Sequence, residues 1–271
     1  MNELWSNRAV RPAAVAGLFY PAEPGALRSQ ISSFLNASDP DDSARAPKLL
    51  IVPHAGTVYS GAVAASAYAR LSRSRDRITR VILIGPAHRV AVRGLAAPGV
   101  DAFDTPLGRI LLDRAALVDL DALAPVVRDD SAHAAEHSLE VQLPFLQLML
   151  DEFALVPLVA GDARPAEVAH ILEHLWGGDE TLIVVSSDLS HYLPHEQAQA
   201  IDRATAQQIL TLDARLDSGQ ACGAIAVNGA LIAAREHGLV PRLLALRDSS
   251  DATGDLRRVV GYGAFAFEPR R

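Results

Sequence analysis

The sequence has a single cysteine, Cys222, and lacks several features that mark particular classes of protein. One cysteine cannot form a disulfide within the chain, so the thiol is either a small core group or a reactive or metal-binding one. No apolar run approaches the roughly 20 residues of a membrane span. The N-terminal stretch M-N-E-L-W-S-N-R also lacks the charged-then-apolar order of a signal peptide. We therefore expect a cytoplasmic protein that does not enter a membrane.

A basic stripe, an internal repeat and a low-complexity segment are also missing. The formal net charge is -7 and the arginines are scattered, so we expect no nucleic-acid partner. The chain has 271 residues, of which 49% are hydrophobic and 21% charged. These values are typical of an ordinary globular protein, and we expect a single domain.

Three short apolar runs each end in side chains that can do chemistry. The run K-L-L-I-V-P-H ends in His54, and R-V-I-L-I-G-P-A-H ends in His88. The third, T-L-I-V-V-S-S-D-L-S-H, ends in Asp188 and His191. Such runs are typical of buried strands in a parallel sheet, and ligands collect outside the carboxyl ends of those strands. The sequence therefore predicts that the three loops meet at one pocket.

Strands and helices alternate along most of the chain, which predicts an α/β fold. After an irregular arm over residues 8–25, we expect a helix over 23–35 and a polar loop over 36–47. We expect Ser60 to cap a helix that reaches residue 71. Pro144 should kink or shorten a helix that begins near Ser138. A further helix should open at Cys222 and Gly223 and end at Gly238.

Each candidate site residue also has a plainer interpretation. His54 and His88 could bind a metal, or each could hydrogen-bond a loop carbonyl. Asp188 could orient His191 for acid-base chemistry or metal support, or it could cap a following helix. His137, beside Glu136 and Glu140, could line the pocket and bind an anionic or phenolic group, or belong to a capping cluster.

Cys222 precedes a predicted helix, whose N-terminal N–H groups and dipole favour thiolate over thiol. We therefore expect a lowered thiol pKa, and Cys222 could be a soft metal ligand, although a lone cysteine between alanines is more often a small core residue. His170 to His174, H-I-L-E-H, matches the inverted zinc-protease pattern. The residues around that match favour a surface crossover helix that buries Ile171, Leu172 and Leu175.

Five motifs in order resemble the MEMO family, of the AmmeMemoRadiSam system protein B type. They are P-H-A-G, G-P-A-H, E-H-S-L-E-V-Q-L-P, S-S-D-L-S-H and C-G-A-I. The resemblance runs from R-P-A-A-V-A-G-L-F-Y-P to G-D-L-R-R-V-V-G-Y-G-A-F, which predicts one domain over residues 8–269. It implies the fold of class III extradiol dioxygenases, with a central mixed, largely parallel sheet flanked by helices.

Those dioxygenases hold a non-haem iron with two histidines and a carboxylate, and another histidine acts as acid-base. The resemblance implies that His54, His88 and Cys222 are metal ligands, with the thiolate in the carboxylate's place. His191 would match the acid-base histidine, and Asp188 and His137 are the other candidate catalytic residues. Because thiolate is a soft ligand, the metal could be iron or copper, with zinc also compatible.

The leading hypothesis is a metal-dependent redox enzyme with an unidentified small-molecule or peptide substrate. The resemblance also implies two non-catalytic alternatives, since MEMO proteins are linked to phosphopeptide binding and the ligand set suits sequestering of reduced copper. It further implies a functional link to a radical-SAM protein.

Overall fold

A computed structural model describes residues 9–39 and 46–270 of the chain. Arg8, at the start of the predicted domain, and residues 40–45 of the predicted polar loop lie outside these ranges. The strands are β1 (Val10–Arg11), β2 (Leu49–Val52), β3 (Arg80–Pro86), β4 (Leu95–Ala97), β5 (Ala102–Thr105), β6 (Gly108–Leu111), β7 (Val126–Arg128), β8 (Ala154–Ala160), β9 (Thr181–Ser186), β10 (His191–Leu193), β11 (Val240–Asp248) and β12 (Val259–Glu268).

The helices alternate with these strands along most of the chain, which confirms the predicted α/β class. They are α1 (Pro24–Asn36), α2 (Thr57–Tyr68), α3 (Arg114–Leu120), α4 (Asp130–Ala134), α5 (His137–Glu140), α6 (Leu143–Met149), α7 (Pro165–His174), α8 (His195–Leu210), α9 (Ala224–Glu236) and α10 (Ser250–Thr253), with a 3-10 helix at Ala69–Ser74.

The described residues form one large mixed sheet of nine strands and a small sheet of β1, β5 and β6. In the large sheet the strand order is β10-β12-β2-β9-β3-β8-β4-β7, and β11 pairs with β12. Strands β2, β9, β3 and β8 run parallel, whereas β12 and β4 pair antiparallel with β2 and β8. The predicted mixed, largely parallel sheet is therefore present, within a single domain.

The central strands are apolar because both of their faces are covered. Every residue of β2 and β9 is buried, and so is every residue of β3 and β8 except the first. Each Val, Leu or Ile buried in this way contributes roughly 1.5–3 kcal/mol relative to exposure. The carboxyl ends of the four parallel strands consequently share one well-supported edge.

Two helices differ in detail from the sequence-based expectations. Helix α2 begins at Thr57 with Gly56 as its N-cap, so the prediction that Ser60 is the cap was wrong. The Ser60 hydroxyl instead donates to the carbonyl of Ala55 at 2.9 Å, inside the first turn. The segment after Ser138 is divided into α5 and α6, and Pro144 lies in the first turn of α6. Pro144 has no N–H to donate, so the first turn is the position a helix tolerates.

The N-terminal arm is tied to α5 by a buried ion pair between Arg11 and Glu140, whose atoms lie 2.6 Å apart. The Glu140 carboxylate also accepts from the backbone N–H groups of Ala14 and Val15 and from the Tyr20 hydroxyl. A buried carboxylate needs such partners, since an unpaired charge in the interior is costly. The arm therefore has a fixed position beside the carboxyl edge of the sheet.

Within residues 9–39 and 46–270, no helix combines the length and the apolar character that crossing a membrane requires.

Candidate metal centre

The carboxyl edge of the sheet brings His54, His88 and Cys222 together. His54 follows β2 and His88 follows β3, and the strand between these two is β9. Cys222 reaches the same edge because its N–H donates to the carbonyl of Asp188, just beyond β9, at 3.2 Å. One potential ligand atom from each of His54, His88 and Cys222 lies within 4.8 Å of the other two. These are the three residues predicted to hold the metal.

The tautomer of His54 follows from the hydrogen bonds of Ser186. The single proton of the Ser186 hydroxyl goes to the carbonyl of Ser138 at 2.6 Å. The hydroxyl oxygen then accepts from the Gln142 amide at 2.8 Å and from Nδ1–H of His54 at 2.8 Å. Nε2 of His54 therefore carries a lone pair, and it lies 3.3 Å from Sγ of Cys222.

Gln142 is itself held in one orientation. Its amide nitrogen also donates to the carbonyl of Pro53 at 2.9 Å, and its oxygen accepts from the Tyr68 hydroxyl at 2.9 Å. With the amide fixed, Ser186 can only be an acceptor towards Gln142. The chain Tyr68–Gln142–Ser186 thus determines which nitrogen of His54 faces the site.

His88 is supported by a carboxylate instead of a hydroxyl. Oε1 of Glu136 lies 2.9 Å from Nδ1 of His88, and Oε2 accepts from the His88 backbone N–H at 2.6 Å. Burial raises the pKa of Glu136, but hydrogen bonds from His88 and Ser138 outweigh burial and lower this pKa to about 2. Because an ionised carboxylate only accepts, Nδ1 of His88 is the donor and Nε2 is left free for a ligand bond.

Cys222 holds its proton in the metal-free protein, contrary to the sequence-based prediction of a lowered pKa. Burial, together with the negative charge of Asp188, raises the pKa of the Cys222 thiol to about 12. The helix α9 does begin two residues later, and the sulfur accepts from the Asp188 N–H at 3.3 Å. These contacts stabilise the thiolate by less than the loss of its hydration destabilises it.

Asp188 is buried, and its carboxylate accepts from the backbone N–H groups of His54 at 2.7 Å and Ala55 at 3.3 Å. Burial raises the pKa of Asp188 to about 6. The capping alternative for Asp188 was wrong, because the next helix, α8, begins at His195 with Pro194 as its N-cap. A role in orienting His191 or in supporting a metal stays a prediction, and the Asp188 carboxylate makes no hydrogen bond to His191 among the described residues. The carboxylate fixes the loop that carries His54.

His191 begins β10, and its Nδ1 lies 2.8 Å from the carbonyl of Leu189. A carbonyl only accepts, so Nδ1 carries the proton and Nε2 of the neutral ring has a free lone pair. The next residue, Tyr192, has a φ of 60°, a conformation that is rare for a bulky side chain and costs backbone energy. His191 thus offers a proton acceptor within electrostatic reach of His54. It belongs neither to the group of His54, His88 and Cys222 nor to the second group of potential metal ligands among the described residues, which is His88, Glu136 and His137.

His137 lies at the site as predicted, at the start of α5. Its ring centroid is 4.6 Å from that of His88, 5.5 Å from that of His54 and 4.5 Å from that of Phe19 in the arm. Burial and the neighbouring His88 lower the pKa of His137 to about 4. Its Nδ1 is buried and makes no hydrogen bond within the described part of the chain, although Glu136 is 3.3 Å away. The His137 side chain is therefore neutral and polar, and it lines the site.

The three candidate ligands fit a single transition-metal ion. Two imidazole nitrogens and one sulfur form a borderline-to-soft donor set that suits zinc, copper or iron. Nitrogen and sulfur bound to one tetrahedral ion, at about 2.0 and 2.3 Å, lie about 3.5 Å apart. The 3.3 Å between Nε2 of His54 and Sγ of Cys222 is close to that separation. Each supported Nδ1 also follows the usual pattern for metal-binding histidines.

Comparisons with known proteins show the family of this chain. The sequence model of a family described as "Memo-like protein" matches residues 11–266. The chain belongs to the Memo family. It is 34% identical to a "MEMO1 family protein" of Sulfolobus acidocaldarius over 95% of this chain and 99% of that relative. A "MEMO1 family protein" of Ignicoccus hospitalis is 35% identical over 95% of this chain and 98% of its own length.

The fold is also similar to that in the crystal structure of an uncharacterized protein from Escherichia coli K12. The TM-score is 0.54 at 15% sequence identity, covering 82% of this chain and all of that one. At this identity the likeness concerns the fold alone. The mixed sheet of this Memo-family chain is therefore shared beyond its close relatives.

The roles of the residues that hold the candidate ligands of this Memo-family site, above all Ser186, Gln142 and Glu136, were not predicted from the sequence. A signal for two of them was present, because the motif E-H-S-L-E-V-Q-L-P places Glu136, Glu140 and Gln142 among apolar residues. Polar side chains are rarely buried unless they have partners. Ser186, Gln142 and Glu136 are all buried here, and each has hydrogen-bond partners.

The H-I-L-E-H match is part of α7, as the surface interpretation predicted. Ile171, Leu172 and Leu175 are buried, and His170 and His174 are exposed. Glu173 pairs with His237 at 2.6 Å, and the His170–His174 segment forms no potential metal-ligand group among the described residues. This Memo-family chain therefore has its candidate metal ligands at the sheet edge and not on α7.

Proposed function

We propose that this protein holds one transition-metal ion through Nε2 of His54, Nε2 of His88 and Sγ of Cys222, and that it is a metal-dependent redox enzyme. One observation carries the proposal. The hydrogen bonds of Ser186 and Glu136 leave both imidazoles with a free Nε2 within reach of the one sulfur. A purely structural histidine pair has no need of two free imidazole nitrogens beside a thiol.

The donor set favours iron or copper as the working metal, with zinc compatible. A thiolate is softer than the carboxylate of a two-histidine, one-carboxylate site, so it favours copper(I) and changes the redox potential of bound iron. When bound, such an ion supplies electron transfer and polarisation of a substrate oxygen. The protein residues supply the positions and the protons.

His191 is the residue best placed to move a proton. The Leu189 carbonyl holds Nδ1–H, so Nε2 can accept a proton and return it without a change of tautomer. His137, held neutral by its lowered pKa, can accept a hydrogen bond from a substrate hydroxyl. Asp188 acts indirectly, because it fixes the His54 backbone.

Metal content is the first test of this function. His54→Ala, His88→Ala and Cys222→Ser should each lower the metal bound per chain, because two ligands leave an incomplete shell. His170→Ala is the matched control, since it removes an exposed histidine from α7. Unchanged metal content in all three ligand variants would remove the proposed site.

His191→Ala separates an enzyme from a protein that only holds its metal. The variant should keep the metal, and turnover should fall by roughly two to four orders of magnitude. Oxygen uptake by anaerobically reconstituted protein, screened against catechols and related phenols, provides the assay. Loss of metal from His191→Ala as severe as from Cys222→Ser would instead make His191 a fourth ligand. A closed site of that kind favours metal storage over catalysis.

A further inference from the structure

A cavity of about 250 Å³ adjoins the candidate metal centre on the side of Cys222. It lies where β3 and β8 end, beside the first turn of α9 and the loop that precedes Cys222. The described residues that line it are Pro86, Ala160, Leu216, Asp217, Ser218, Cys222, Gly223, Ala224, Ile225 and Ala226. Cys222 is the only one of the three candidate ligands among them, so the cavity meets the candidate centre through this residue alone.

The walls of the cavity are held in place by specific contacts. Buried Asn228 in α9 accepts from the N–H of Leu216 at 2.9 Å and donates to the carbonyl of Leu216 at 2.8 Å. A Cβ atom at Gly223 would lie 2.8 Å from Cβ of Ser187, so α9 and the end of β9 approach as closely as the backbone allows. These contacts fix Leu216 and the start of α9, which form two walls of the cavity.

The chemistry of the lining favours an uncharged occupant. Apart from Cys222, the buried part of the lining is contributed by apolar side chains and glycine. The exposed Asp217 and Ser218 form the outer part. Oδ1 of Asp217 already accepts from the N–H groups of Gly219 at 2.8 Å and Gln220 at 3.2 Å. A carboxylate at the mouth repels anions, and an apolar interior offers few partners to a charged group.

The volume limits the size of the occupant. Ligand sites for drug-sized molecules occupy roughly 300–1,000 Å³. Apolar protein cavities of about 150 Å³ stay dry and bind benzene or xenon. A cavity of about 250 Å³ therefore suits a molecule no larger than one substituted ring.

We propose that this cavity is a binding site for a small uncharged molecule, which it holds against Sγ of Cys222 beside the metal centre. The inference rests on the proposed function, because it assigns the cavity to the molecule on which that centre acts or to a co-reactant. Small, neutral and largely apolar compounds should enter it, and their ionised analogues of the same size should not.

Xenon and benzene test the cavity, and cobalt(II) tests its link to the centre. Crystals under xenon pressure should show xenon between Leu216 and Ile225. In cobalt-loaded protein, benzene should shift the sulfur-to-cobalt absorption band, and benzoate should not.

Ile225→Phe narrows the cavity and should weaken benzene binding roughly tenfold or more, whereas the volume-conserving Ile225→Leu should bind benzene as the unaltered protein does. Ala160→Leu serves the same purpose if Ile225→Phe does not fold.

Each outcome bears on one claim. Cobalt binding without xenon or benzene in the cavity overturns the inference and leaves the proposed function standing. Xenon in the cavity with an unaltered cobalt band in benzene also overturns it, because the occupant then does not reach the sulfur. Protein that binds no cobalt, iron or copper removes the proposed function and this inference together.

Discussion

The two histidines of the centre have equivalent positions after neighbouring strands but opposite surroundings. His54 is buried, and its Nδ1–H is held by the neutral hydroxyl of Ser186. The side chain of His88 is 27% exposed, and its Nδ1–H is held by the ionised Glu136. A carboxylate partner raises the basicity of an imidazole more than a hydroxyl does. The structure thus pairs a buried, weakly supported histidine with an accessible, strongly supported one.

Because of this difference, the surroundings of His54 and of His88 should contribute differently to metal affinity and to protein stability. Burial, followed by the neighbouring His88, holds the pKa of His54 well below its usual value, so His54 stays neutral and ready to bind. The charge of Glu136 compensates part of the positive charge that a metal brings to His88. Metal affinity should therefore depend more on Glu136 than on Ser186, and protein stability more on Ser186.

Glu136→Gln should produce the largest effect among the supporting residues. The amide keeps the shape but loses the charge, and its NH₂ group meets the donor groups of His88 or Ser138. Metal affinity, measured by competition with a chelator, should fall about 10- to 100-fold. Glu173→Gln on α7 is the control. If Glu136→Gln bound metal as tightly as the unaltered protein, the stronger support assigned to His88 than to His54 would be wrong.

The pH dependence of metal binding compares the imidazoles with the sulfur. The thiol pKa of about 12 means that metal must displace a proton from Cys222, whereas His54 is already neutral. Affinity should therefore rise as pH rises, by about tenfold per pH unit for the one proton released. Cys222→Ser should flatten this dependence. A rise in affinity of about a hundredfold per pH unit would correspond to two released protons and would show that a histidine also loses a proton on binding.

Ser186→Ala should affect metal affinity less than Glu136→Gln does, by about tenfold at most. It should cost more in stability, because Nδ1–H of His54 and the Gln142 amide both lose a buried acceptor. We expect a loss of about 1–3 kcal/mol in the free energy of unfolding, measured with denaturant on metal-free protein. Ser66→Ala in α2 is the control. The opposite ranking of the two variants would reverse the comparison.

Tyr68→Phe should have the smallest effect. It removes the hydroxyl that Gln142 accepts from but keeps the ring stacked on Phe145, with the centroids 5.1 Å apart. Unfolding free energy should fall by about 0.5–1.5 kcal/mol, and metal affinity should stay within error. The Pro53 carbonyl still holds the Gln142 amide in this variant, so a large loss of affinity would mean that this contact alone does not keep the orientation that sets the His54 tautomer.

The elements at the sheet edge could be predicted because local patterns determine them. Short apolar runs that end in Pro, Gly and a histidine indicate buried strands that deliver side chains to one edge, as His54 and His88 show. The roles of the residues that support them could not be predicted. The contact of Asp188 with the His54 backbone depends on β9 lying between β2 and β3, which no local pattern reveals.

The thiol pKa of Cys222 illustrates the same limit. A helix N-terminus is visible in the sequence and favours thiolate, but the burial that outweighs it comes from distant segments. The cap assigned to Ser60 failed for a smaller reason, because the turn after His54 starts α2 one turn earlier, at Thr57. Local signals thus located the site, and tertiary packing decided its chemistry.

The position of Cys222 along the chain also has a consequence during synthesis. Both candidate imidazole ligands are synthesised long before the sulfur of Cys222. Strand β9, which holds Ser186, is made after the two histidines and before Cys222. A nascent chain that has not reached Cys222 offers only the two histidines of the proposed ligand set, which would bind metal less tightly than all three ligands together. With the proposed ligand set, tight metal binding would therefore wait until Cys222 has been made, when β2, β3 and β9 are already complete.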